Sequence, residues 1–136
     1  MECIDMIVLD THVWVWWLSD SHPLSPKVQK LITEAKAKQA IFISSISVWE
    51  VAQLATRGRL KLTMHYTDWI AQTESLSFIN FVPVDNHIAL RSVQLSPPLH
   101  QDPADRMIMA TALTLGMPLI TKDEKISRYP HLKTIW

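Results

Sequence analysis

Short apolar runs alternate with longer amphipathic stretches along the whole chain. "MIVL", residues 6–9, is a continuous apolar run of the kind that a strand buried on both faces requires, and it stops at Asp10. "HVWVWWLS" then predicts a short helix. "LSPKVQKLITEAKAKQ" predicts a longer one, with Ser25 as N-cap, Pro26 at the first helical position, and Val28, Leu31, Ile32 and Ala35 along one face. "IFIS", residues 41–44, predicts a second strand, followed by a helix from about Ile46 that closes at Gly58, where a left-handed residue is wanted. A further helix is predicted over "HYTDWIAQTES", and "FINFVPV" predicts a strand that cannot continue centrally past Pro83. Asp85 caps a helix through "NHIALRSVQL" that Pro97 and Pro98 end; Asp102 with Pro103 opens another that closes at Gly116. The strand "PLIT" and a C-terminal piece ending in "TIW" complete the chain.

Strands alternating with helices call for a parallel sheet covered on both faces. With 136 residues and no repeat, linker or low-complexity segment, one domain over residues 1–136 is expected. Lys plus Arg equals Asp plus Glu at 13 each, so the balance lacks the basic excess of most nucleic-acid binders, and any such role must rest on a site. Cys3 is alone, which excludes an intrachain disulfide. The most apolar run, "MIVLDTHVWVWWL", is interrupted by Asp10 and His12 and falls short of the roughly 20 residues that cross a bilayer. No basic leader precedes it, so a cytoplasmic protein without membrane association is expected.

In open parallel sheets ligands gather beyond the carboxyl ends of the strands. Asp10 follows the first strand, and Thr121, Lys122 and Asp123 follow "PLI". Two further acids keep apolar company. Glu50 lies four residues from Ile46 and from Leu54 on one helix, and Asp105 is followed by Ile108, Met109 and Ala112 at positions three, four and seven. Each has a bland explanation: Glu50 could reach out to solvent from the stripe's margin, and Asp105 could be a first-turn acid favoured by the helix dipole. Taken as a set, four carboxylates converging on one point would repel strongly unless protons or a cation compensate. Magnesium meets that need, with one or two direct carboxylates and several waters, and manganese fits the same oxygen set. Zinc is disfavoured with one thiol and with His12, His22, His65, His87, His100 and His131 scattered singly. His12 and His100 lie near the acids in sequence and could contact substrate, though structural roles suit them as well. With only Gly58 and Gly116, no glycine-rich phosphate loop exists, and Ser44, Ser45 and Ser47 read as helix-capping residues.

"IVLDTHVWVWWL", "ISSISVWEVAQLATRGRLKL", "HQDPADRMIMATAL" and "GMPLITKDEKI…IW", in that order and spacing, resemble the PIN-domain ribonucleases, in particular the VapC-type toxins of bacterial toxin–antitoxin pairs. The resemblance implies a three-layer α/β/α sandwich with a central parallel sheet. It implies that Asp10, Glu50 and Asp105 are the core acids of a magnesium site, with Asp123 as a more variable fourth, Asp102 as the capping neighbour, and Thr11 and Thr121 as hydroxyls able to bind a metal water. The activity implied is hydrolysis of RNA phosphodiester bonds by metal-activated water, with Asp10 and Asp105 as direct ligands. Arg106 and the stretch Arg57, Arg59 and Lys61 could hold RNA phosphates, or could equally form a solvated face or structural ion pairs. Setting aside the four candidate acids leaves 13 basic residues against nine acidic ones, a mildly basic remainder. A homodimer and a cognate antitoxin are the implied partners.

Trp14, Trp16 and Trp17 cannot all face one way on a short helix, so at least one must leave the core stripe, where it would suit a dimer or antitoxin contact. Two rival classes share some features. A haloacid-dehalogenase-type phosphatase or a response-regulator receiver also places an Asp after the first strand and Thr and Lys after a later one. The phosphatase pattern wants an Asp where His12 stands, the receiver wants one after the third strand, and neither explains Glu50. A non-catalytic module that keeps its acids only to bind an antitoxin is the other alternative.

Overall fold

The computed structural model describes residues 4–96 and 102–136. Five strands form one sheet: β1 (Ile7–Leu9), β2 (Ile41–Ser44), β3 (Ile79–Val82), β4 (Leu119–Ile120) and β5 (Thr134–Ile135), in the order β3-β2-β1-β4-β5, with every pairing parallel. Among the described residues seven helices connect them: α1 (Thr11–Ser19), α2 (Pro26–Ala37), α3 (Ser45–Thr56), α4 (Tyr66–Glu74), α5 (Asn86–Val93), α6 (Pro103–Leu115) and α7 (Glu124–Ser127).

Alternate strand residues point to opposite faces, and the buried side chains divide accordingly. Ile7, Leu9, Ile41, Ile43, Ile120 and Ile135 join one apolar cluster with Val13 and Trp14 of α1, Val28 and Ile32 of α2 and Trp69 and Ile70 of α4. Val8 and Leu119 join a second with Ile108, Met109 and Ala112 of α6 and Ile126 of α7, and Phe42 packs against it. Two cores separated by one sheet make the three-layer α/β/α sandwich. The apolar run at 7–9 is therefore continuous because both of its faces are covered, not because it belongs to a helix.

Local signals set most of the boundaries. Ser25 accepts a hydrogen bond from the Val28 amide, Asp85 from Ile88 and Asp102 from Asp105, each starting a helix where a capping residue was expected. Gly116 (φ +67) ends α6 and Gly58 (φ +70) follows α3, both in the left-handed region. β3 stops at Val82, before Pro83. Two helices begin slightly earlier than expected, because Asp10 itself caps α1 and Ser44, the last residue of β2, caps α3 through the Ile46 amide. Strand passes into helix at both places with no intervening loop. The C-terminal piece resolves into α7 and the edge strand β5. The expected stop at Pro97 and Pro98, together with Cys3 and His100, lies outside the described residues.

Candidate functional site

The strand order reverses direction at β1. From there the chain proceeds to β2 on one side, whereas β4 and β5 lie on the other, so the crevice for a ligand opens beyond the carboxyl ends of β1 and β4. Leu9 pairs with Ile120, which makes Asp10 and Thr121 neighbours just past the sheet. The Asp10 amide donates to the Ile120 carbonyl at 3.0 Å, fixing the backbone at the joint.

Asp10 is buried and its carboxylate is shared between two donors. Oδ1 accepts the Thr11 amide at 2.8 Å, as a helix cap does, and Oδ2 accepts the Thr121 hydroxyl at 2.7 Å. Thr121 Oγ1 in turn accepts the Asp123 amide at 3.1 Å, and Asp123 caps α7 by accepting the Lys125 and Ile126 amides. One hydroxyl thus ties together the acids that follow β1 and β4. Thr121→Val keeps the volume but strands a buried carboxylate oxygen and an amide. It is expected to cost about 1–3 kcal/mol in urea unfolding of the metal-free protein, with Thr121→Ser recovering most of the loss. A Val variant as stable as wild type would show that the hydroxyl holds nothing.

Glu50 reaches the same region from α3. Thr11 Oγ1 lies 2.7 Å from Glu50 Oε1 and 2.7 Å from Ser47 Oγ. A hydroxyl has one proton to give, so Thr11 donates to the carboxylate and accepts from Ser47. Ser47 is fully buried one turn before Glu50. The capping role expected for it belongs to Ser44 instead; Ser47 braces the Thr11–Glu50 contact. Nothing local in the sequence signals this, since Thr11 and Ser47 are 36 residues apart.

Asp105 sits in the first turn of α6, half-buried, and Asp102 caps that helix. Asp10, Glu50, Asp102, Asp105 and Asp123 line one pocket of about 410 Å³ with His12, Val13, Trp16 and Lys122. All four expected site acids are therefore brought together. Asp102 both caps the helix and faces the pocket, a wider role than capping alone. Arg106 is half-buried on α6 and does not line the pocket; Arg57, Arg59 and Lys61 are exposed beyond the end of α3 and do not line it either. Lys122, named at the end of its strand without a role, is the one lysine or arginine in the lining among the described residues.

Acids held together without compensation resist ionising. Burial pushes the Asp105 carboxyl up to about 8, with further upward contributions from Asp10, Asp102, Glu50 and Asp123. Glu50 is raised chiefly by burial, against the lowering effect of its bond from Thr11. Asp10 is raised for the same first reason, although Thr121, His12 and the Thr11 amide all favour its charged form. Among the described residues no three His, Cys, Asp or Glu side chains stand close enough together to hold an ion between them. The acids are spread around the pocket wall.

Of the three tryptophans on α1, Trp14 is fully buried against Trp69 and Phe81, and Trp17 is half-buried near Phe78. Trp16 is half-buried, packs against the same core cluster as Trp17, and also lines the acid pocket. The most exposed tryptophan that the structure names is Trp49, 54% accessible on α3. No helix among the described residues is long and apolar enough to cross a membrane.

Fold and site together define an α/β/α sandwich protein with an acidic pocket at the switch point of its sheet. The PIN domain family model matches residues 7–132, and the chain belongs to that family. It is 32% identical over 132 residues to Ribonuclease VapC22 of Mycobacterium tuberculosis, covering 96% of this chain and 98% of that protein. Two solved structures are similar in fold. One is VapBC2 of Rickettsia felis bound to a fragment of promoter DNA (TM-score 0.70, 20% identity, covering 96% of this chain and 97% of that one). The other is a toxin–antitoxin complex of Klebsiella pneumoniae (TM-score 0.65, 23% identity, 96% of each chain).

Proposed function

We propose that this protein is a magnesium-dependent endoribonuclease, the toxin of a cytoplasmic toxin–antitoxin pair. The observation that carries the reading is the meeting of Asp10, Glu50, Asp105 and Asp123 in one pocket, in a chain of the PIN family. The 32% identity to a ribonuclease of the VapC type supports RNA as the substrate. The toxin–antitoxin complex among its fold neighbours agrees with a cognate antitoxin as partner, and a homodimer is proposed with it. Family membership removes the phosphatase and receiver alternatives.

The donor chemistry suits a hard divalent cation. Carboxylate oxygens make up the candidate ligand set, with no thiol among the described lining residues, and the acids' mutual repulsion is the kind that a cation relieves. The spread of the acids agrees with an ion that keeps most of its waters and takes one or two direct ligands. Asp10 and Asp105 would be those ligands, Glu50 and Asp123 would orient water, and manganese would satisfy the same set. When bound, the metal supplies Lewis-acid activation of water and charge stabilisation at the phosphate. The chain itself supplies placement. Thr121 and the α1 amide fix the Asp10 carboxylate, Thr11 braced by Ser47 fixes Glu50, and capping by Asp102 sets the first turn that carries Asp105.

The test is RNA cleavage with magnesium, with and without EDTA, by wild type and Asp10→Ala. Cleavage that needs metal and falls by about 10³-fold in the variant is expected. Identical trace activity in all four reactions would leave the non-catalytic binding module as the better description.

A further inference from the structure

An aromatic wall borders the acids. Trp16 lines both the acid pocket and a neighbouring groove of about 500 Å³ edged by Trp17, His22 and Leu24, a volume within the range of small-ligand sites. Its indole is braced by rings: His22 lies 4.3 Å away at 38°, His12 5.8 Å away, and Trp136 edge-on at 5.9 Å. Lys122 Nζ stands 3.3 Å from His22 Nε2 and 5.8 Å from the Trp136 ring centre, so this lysine of the pocket lining is held beside the wall. Trp14 is fully buried, whereas Trp16 is half-buried: it packs against the core cluster and also lines both the acid pocket and the groove.

We infer that Trp16, with Lys122, forms a nucleotide subsite in which a base next to the scissile phosphate of single-stranded RNA stacks on the indole and its phosphate meets the ammonium. This rests on the ribonuclease reading. A stacking surface accepts any base by its π-face but requires that base to be unpaired, so the preference is for single strands or loops. Lys122 supplies attraction for a phosphodiester at the edge of a pocket whose acids would otherwise repel it. The continuity of the wall with the acids favours RNA over a protein partner.

The test uses the Asp105→Asn protein, so that the oligonucleotide stays whole, and a short single-stranded RNA read by tryptophan quenching and by anisotropy. An abasic oligonucleotide with the same phosphates and the corresponding duplex serve as comparisons. The single strand is expected to bind about tenfold more tightly than either comparison, with Trp16→Leu erasing that difference and Trp16→Phe keeping most of it. Lys122→Gln is expected to weaken the single strand and the abasic strand alike and to lower the salt slope by about one. Equal binding of the abasic strand, or a difference that survives Trp16→Leu, overturns the subsite and leaves the wall to a protein contact. The abasic comparison in the Trp16-intact protein stands even if Trp16→Leu folds poorly. RNA cleavage by wild type is measured alongside: cleavage without base-dependent binding sinks the subsite alone, whereas base-dependent binding without cleavage sinks the nuclease reading.

Discussion

Replacing Asp105 by Asn is expected to remove metal-dependent RNA cleavage, by about 10³-fold or more, and at the same time to stabilise the metal-free protein at about pH 8. Asn has the shape of Asp without its charge. The side chain at this position lies half-buried within reach of four other carboxylates, whose repulsion helps to raise its pKa to about 8. Removing that charge relieves the fold by about 1–2 kcal/mol, allowing for solvent screening of a group that is only partly buried. Asp102→Asn makes the contrast. Asn caps a helix about as well as Asp, so stability should change by only a fraction of the roughly 1 kcal/mol that a cap contributes. Because Asp102 also faces the pocket, the variant should lower the Asp105 pKa while retaining activity within about tenfold. Steady-state cleavage and urea midpoints on the two variants decide the matter. Equal loss of activity in both would mean that the roles of the pair are wrongly divided.

The second large effect is on pH dependence. Asp105 has an ordinary value of 3.8 when unfolded and about 8 in the fold, so between those limits the folded chain holds a proton that the unfolded chain has released. Stability of the metal-free protein therefore falls as pH rises through that window and levels off above about pH 8. Asp10 and Glu50, also raised, steepen the same slope. Magnesium should reverse it, since a cation favours the ionised acids and competes with protons, and a ligand at 100 times its Kd adds about 2.7 kcal/mol. Thermal midpoints in EDTA should be higher at about pH 5.5 than at about pH 8, and millimolar magnesium should raise the midpoint more at the higher pH. A metal-free protein that is more stable at about pH 8 would show that the acids are not crowded in the way described.

The pattern of apolar runs, caps and prolines is local information, and it is what the sequence displayed most clearly. Ser25, Asp85 and Asp102 sit at the caps assigned to them, and β3, an edge strand, ends at Val82, directly before Pro83. Asp105 was conspicuous as a charge on an apolar helical stripe, and the fold answers that conflict by turning it toward other acids. The pieces that escaped are those without a period or without a neighbour in sequence. α7 is four residues long and β5 two, too short for any repeat to register. Ser47 looked like one of three capping serines until helix crossing set it against Thr11, and Lys122, named at the end of its strand, had no role assigned until β4 placed it in the pocket lining.

The loopless passage from β1 into α1 makes the length of the chain at that joint a constraint in its own right. One extra residue between Leu9 and Thr11 would turn α1 by about 100° about its axis. A single such turn would take Thr11 off Glu50, Trp14 out of the core and Trp16 away from the acids together. Substitutions here can be judged one side chain at a time. Insertions and deletions cannot.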